Sequence, residues 1–126
     1  MDDEEEFAPS KMVIMCNHED ADSVMAALVM GAAAAATGEE VLMFFQPGGA
    51  RALAKGELEK FQGIQGLPDP VSLYDSIQVL DGRFILCELG LPNKGIERES
   101  LRDGVEVMMA SSFLLESEDA RAVYCY

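Results

Sequence analysis

Three cysteines occur in the 126-residue chain, and each closes an apolar run with strand character: KMVIMC ends at Cys16, RFILC at Cys87 and AVYC at Cys125. A thiol in its ionised form is a nucleophile towards sulfur and a ligand for soft metals. In an open parallel α/β sheet the carboxyl ends of the strands share one edge, where reacting groups gather. Parallel strands would therefore put all three thiols on one rim. Cys87 has the richest surroundings, because Gly90, Pro92, Asn93 and Gly95 follow it and open a loop that brings backbone N–H groups within reach. Lys94 and the start of the next short helix would favour a thiolate, while neighbouring Glu88 would oppose it. The alternative is a buried cysteine acting as a small hydrophobe at a strand end.

Cys16 forms a second constellation with His18 and the acids Glu19, Asp20 and Asp22. A thiolate and an imidazole at C-x-H spacing could share a metal, with Cys87 contributing if the first and third strands were neighbours. Two or three loosely placed ligands are not a zinc pattern, so a turn with a helix cap and a core Cys16 is favoured over metal binding. Adjacent strands would also separate Cys16 and Cys87 by only ~4.8 Å, within disulfide reach, which makes Cys16 a secondary thiol for redox exchange. Cys125 carries less support because terminal strands fray. The eight methionines read as core filler and interface material, with Met108 and Met109 marking a possible subunit contact. Neither G-x-x-x-x-G-K-[ST] nor G-x-G-x-x-G after the first strand is present, and no Ser-His-Asp order places a nucleophile on a sharp turn.

The elements that must position these groups alternate between strand and helix, the signature of a layered fold with a largely parallel sheet. Lys11–Cys16 is predicted as the first strand and Ser23–Ala36 as an alanine-rich helix that can lie close to the sheet. Val41–Phe45 is the second strand, apolar throughout as burial on both faces requires. A short helix is expected over Ala50–Lys55 after the Pro47-Gly48-Gly49 exit. Asp69 followed by Pro70 starts another helix, with Val71, Tyr74, Ile77 and Leu80 as its core stripe. Arg83–Cys87, Val105–Met108 and Arg121–Cys125 complete five strands, and Ala110–Glu118 a further helix. The stretch Gly56–Pro68, interrupted by Gly63 and Gly66, is mobile or ordered by a partner, and its Phe61, Ile64 and Leu67 make a candidate interface. The expected class is a three-layer α/β/α fold of Rossmann-like or flavodoxin-like type. It comprises an acidic tail over residues 1–10 and one domain over 11–126.

Composition supports a globular domain, with 49% hydrophobic and 25% charged residues. The longest weakly polar run, Val24–Ala36, is too short to span a bilayer. The start, MDDEEEF, is acidic where a secretory signal is basic, which points to the cytoplasm, and three cysteines suit reduced thiols better than a disulfide scaffold. A formal net charge of -14 repels phosphate backbones and anionic lipid, so neither nucleic acid nor membrane is an expected partner.

The run FILCELGLPNKGIERESLRDGVEVM resembles the DsrE/DsrF-like sulfur-relay family (DsrE/TusD-like): a strand ending in cysteine, an apolar loop to Gly-Ile, and an acidic turn to Asp-Gly-Val and the next strand. The upstream run AALVMGAAAAATGEEVLMFFQPGGARALAKG is similar to the same family in its alanine-rich helix, Phe-Phe strand end and glycine-led second helix. The resemblance implies a small α/β domain that assembles into homo-trimers or homo-hexamers. It also implies a cysteine, by position Cys87, that accepts sulfane sulfur as a persulfide and hands it to a carrier of TusA-like type. Such chemistry needs no metal and no organic cofactor. The family also includes subunits that lack activity and only build the assembly.

Overall fold

The structure, a computed structural model, describes residues 10–126; the tail expected over residues 1–10 lies outside the described residues apart from Ser10. The strands are β1 (Lys11–Cys16), β2 (Glu40–Phe45), β3 (Arg83–Cys87), β4 (Val105–Met108) and β5 (Ala122–Cys125), and the α-helices are α1 (Ala21–Ala36), α2 (Pro70–Val79), α3 (Gly90–Lys94) and α4 (Ala110–Glu116). They form one sheet of order β4-β3-β2-β1-β5 in which every neighbouring pair is parallel. The expected flavodoxin-like layering holds.

Strand order decides how the layers fill. The connections from β1 to β2, β3 and β4 all step in one direction across the sheet, and the last one steps back past β1 to β5. Because parallel crossovers are right-handed, steps in one direction put their helices on one face and a reversed step uses the other. Accordingly α1 and α2 pack with Ile14, Met43, Phe45, Phe84 and Leu86 on the first face. The second face, formed by Val13, Leu42, Phe44, Ile85 and Cys87, has Phe113 of α4 as its buried cover. Phe113 stacks on Phe44 with ring centroids 4.0 Å apart.

Local chemistry sets the element ends. Asp20 caps α1 by accepting from Ser23 N at 3.0 Å, and Asp69 caps α2 by accepting from Val71 N at 2.9 Å, with Pro70 in the first turn where its missing N–H costs nothing. Gly31 lets α1 approach the sheet and α2, since a Cβ there would lie 3.1 Å from Ile77 Cδ1. The expected α2 stripe is corrected at its end. Asp81 adopts a left-handed φ of 67° and Gly82 N returns to Ile77 O at 2.8 Å, so the helix stops at Val79 and Leu80 is exposed. The helix expected over Ala50–Lys55 is a 3-10 turn over Pro47–Leu53, and a second 3-10 turn occupies Leu58–Phe61. Within 56–68, Leu58 is buried, Phe61 packs against the core, and Ile64 and Leu67 are exposed.

On the second face α4 is also tied by charge. Arg83 donates to both carboxylate oxygens of Glu106 at 2.8 Å and reaches Glu116 at 3.4 Å. Lys11 Nζ donates to Glu116 O at 2.7 Å and pairs with Asp119 at 2.9 Å. The Arg83 hydrogen bond holds the Glu106 carboxyl below its ordinary range; burial opposes it, and the Arg83 charge adds a smaller lowering. A depressed folded value means stability that is present above the unfolded carboxylate pKa of about 4.3 and lost as pH falls through the folded value. Urea unfolding from pH 7 to pH 3 should therefore lose part of its acid sensitivity in Glu106→Gln. An unchanged slope would show that the pair contributes nothing; the effect is modest because the carboxylate is partly exposed.

Candidate active site

With all strands parallel, Cys16, Cys87 and Cys125 do stand at one edge of the sheet. Register then separates them. Cys16 pairs with Phe45, which lies one register row from the Phe44–Ile85 pair; Cys87 pairs with Met108, and Cys125 with Met15. Successive side chains on a strand point to opposite faces, so Cys16 faces α1 and α2, whereas Cys87 faces the α4 side. Strand β2 also lies between them, which places their backbones roughly 9.6 Å apart, two interstrand spacings. That exceeds the ~7 Å limit for a disulfide. The Cys16–Cys87 exchange considered from sequence is thereby corrected.

Cys16 is sealed. It has 0% exposure, its Sγ donates to His18 O at 3.2 Å, and burial pushes its thiol pKa up more strongly than that hydrogen bond lowers it. It is a core cysteine with a capped sulfur. His18 contributes its carbonyl to this contact, and no group of three Cys, His, Asp or Glu side chains converges on a metal-sized site among the described residues. The turn beside it is closed as well. Asn17 N donates to Tyr126 O at 2.8 Å and Asn17 Oδ1 accepts from Gly48 N at 2.9 Å. A Cβ at Gly48 would collide with the Asn17 carbonyl, and one at Gly49 would lie 2.8 Å from Cys16 O. The Pro-Gly-Gly exit thus packs directly on the backbone that leaves β1, a role that residue types alone did not reveal.

Cys87 sits at the end of an inner strand with 4% exposure, among Ile85, Phe44 and Phe113. Beyond it Glu88 N donates to Met108 O at 3.0 Å, extending the β3–β4 ladder by one step before the chain turns into α3. Gly90 lets this turn lie against Pro47–Leu53, since a Cβ there would be 2.8 Å from Ala50 Cβ and 3.1 Å from Leu86 Cδ1. Gly95, at φ 63°, ends α3 in the left-handed conformation, and Ile96 N closes it on Leu91 O at 2.8 Å. Lys94 lies in the last turn of α3; its carbonyl accepts from Arg51 Nη2 at 3.5 Å, and its ammonium makes no ion pair among the described residues. The expected loop around the thiol is thus a packed turn.

Cys125 is exposed on the edge strand β5. Timed alkylation of the reduced protein, read by peptide mass, should modify Cys125 first, Cys87 second and Cys16 last; rapid modification of Cys16 would contradict its sealed setting.

Two further features escaped the sequence. Arg102 binds Glu59 at 2.7 Å and lies over the Tyr74 ring at 5.1 Å, beside a polar cleft of about 280 Å³. Tyr74 donates to Asp103 O at 2.7 Å, and burial pushes its phenol up to about 12. This cleft borders the start of β4, at the opposite end of the sheet from the thiols. The other is an apolar cleft of about 350 Å³ on the second face, bounded by Val13, Met15, Phe44, Phe113, Leu114 and Val123. Neither carries a motif, because its walls come from segments far apart in sequence.

The fold and rim define a parallel α/β protein with a nearly buried cysteine at the carboxyl end of an inner strand. No family model matches the chain, and no curated protein does. Solved structures do. The ychN protein from E. coli superposes with a TM-score of 0.75 at 15% identity, covering 94% of this chain and 100% of its own. A protein of unknown function, MTH1491, from Methanobacterium thermoautotrophicum gives a TM-score of 0.71 at 13% identity, with 91% and 98% covered. At such identities the likeness is one of fold, and at that level it agrees with the DsrE-like resemblance.

Proposed function

We propose that this protein is a sulfur-relay protein of the DsrE/DsrF-like type, with Cys87 as the persulfide carrier. The observation that carries the reading is the place of Cys87 at the carboxyl end of β3, the strand end of the family-like run, with the packed turn Glu88–Gly95 following it directly in the chain. The thiolate of Cys87 attacks the outer sulfur of a donor persulfide; the donor S–S bond breaks, the donor thiolate leaves, and a Cys87 persulfide forms. An acceptor thiolate then attacks the outer sulfur, and Cys87 departs as thiolate. No electrons are gained or lost overall, and no cofactor takes part. Lys94 stabilises the thiolate in this reading when the turn opens. With 4% of Cys87 exposed, the turn or α4 must yield locally before a partner thiol can reach the sulfur. The partner is a small carrier of TusA-like type, the setting is the cytoplasm, and the protein works as a homo-trimer or homo-hexamer within a single domain over 11–126. Among the described residues no helix is long and apolar enough to cross a membrane.

Treating the reduced protein with a sulfane-sulfur donor should add the mass of one sulfur atom to the peptide containing Cys87, and Cys87→Ser should abolish the addition. Equal labelling of that variant would sink the assignment. The burial of Cys87 favours a second reading, a non-catalytic assembly subunit, which predicts no addition to the wild type.

A further inference from the structure

The polar cleft beside Tyr74 lies at the end of the sheet away from the thiols, and its walls are pinned by the fold itself. On one side Lys55 N donates to Ser100 O at 2.8 Å and Arg102 N to Leu53 O at 2.9 Å, an antiparallel bridge that ties two distant segments together. On the other, Tyr74 of α2 donates to Asp103 O at 2.7 Å. Gly104, at φ 88°, lets that turn lie against α2, since a Cβ there would collide with Gln78 Nε2.

Within these walls the charges do not balance. Arg102 and Glu59 satisfy one another, Nη1 and Nη2 donating to the two carboxylate oxygens at 2.7 and 3.3 Å. Lys55, Asp75 and Asp103 also line the cleft, and none of the three makes an ion pair among the described residues. The uncompensated charge is therefore one positive and two negative. Arg102 adds an uncompensated donor, because its Nε is buried and has no hydrogen-bond partner among the described residues. Such a donor is costly until an acceptor is supplied.

These features narrow the ligand. A simple anion would meet two free carboxylates in a chain of net charge -14. A quaternary ammonium needs an open aromatic face, and the Tyr74 ring is already engaged by Arg102 at 5.1 Å and by Phe84 at 4.2 Å. We propose that the cleft binds a free basic amino acid of the arginine or lysine type. Its carboxylate meets Lys55 and supplies the acceptor that Arg102 lacks, while its two cationic groups meet Asp75 and Asp103. Two positive charges and one negative mirror the three free charges of the cleft. The volume of about 280 Å³ lies just under the usual range for drug-sized ligands, which suits a smaller molecule. The site is independent of the sulfur chemistry and of the assembly.

Equilibrium dialysis of radiolabelled L-arginine against the full chain at physiological salt tests the proposal. Binding should saturate at one molecule per chain. Agmatine keeps both cationic groups and lacks the carboxylate, so a merely acidic surface would attract it more strongly than arginine; it should instead compete at least about fivefold less well. Lys55→Ala and Asp75→Asn should each weaken binding about fivefold, with Lys55→Arg restoring it. Asp22→Asn, which removes the same charge from exposed α1, should leave it unchanged. Hydrogen exchange should show protection gained on binding over 54–59, 74–78 and 101–104. Absence of saturable binding at millimolar arginine, agmatine competing as well as arginine, equal weakening in Asp22→Asn, or protection gained elsewhere would overturn the proposal.

Discussion

Phe113→Ala is expected to destabilise the protein by about 3–5 kcal/mol, the usual range for emptying a buried aromatic site. That is a large share of the ~5–15 kcal/mol that holds a domain of this size together. The size of the effect follows from α4 having Phe113 as its buried residue and the 4.0 Å stack on Phe44 as its apolar attachment. The polar ties from Lys11 and Arg83 hold the C-terminal end of the helix, and partly exposed ion pairs cannot replace a lost core contact. Cys87 shares the Phe113 cluster, so its alkylation should accelerate with the loss. Urea unfolding together with timed alkylation checks both expectations. A loss below about 1 kcal/mol would mean that the face is covered by something other than this helix.

Gly90→Val should strike the same thiol from the other side. Its Cβ would meet Ala50 Cβ at 2.8 Å and Leu86 Cδ1 at 3.1 Å. Ala50 has no rotamer to yield, so the turn after Cys87 must lift. Overpacking of this kind costs about 1–3 kcal/mol. If the strain falls on the local opening of the turn, Cys87 should be alkylated about tenfold faster or more, since each 1.4 kcal/mol is a factor of ten. Cys16 shares the core cluster of Ala50 and Leu86, so it should be accelerated less than Cys87 only if the strain is released through the turn and not into that core. Equal acceleration at both cysteines would indicate global loosening instead.

Much of this architecture was legible because its strands are short apolar runs closed by polar turns, and because Asp69-Pro70 and Asp81-Gly82 carry their own stop and start chemistry. The candidate site was legible only in part. The rim follows from parallel strands, but which face each thiol occupies depends on the parity of its position in the register, and register is fixed by pairings between distant segments. The placement of β2 between β1 and β3 is equally non-local, and it decides that Cys16 and Cys87 cannot meet. Gly48 and Gly90 read as ordinary loop glycines; their function is to allow close approach to Asn17 and Ala50, partners that sequence spacing does not reveal.

The reversed crossover also has a kinetic meaning. Strand β5 closes onto β1, and Lys11 meets Glu116 across a separation of 105 residues. Contacts of such span form late, because the entropy of closing the chain is lost before they return anything. Until the chain has been made through Cys125, β1 therefore offers an open hydrogen-bonding edge, and such edges recruit strands from other chains. The reversed crossover that sends α4 to the second face also makes β1 the point at which a newborn chain is most exposed to misassembly.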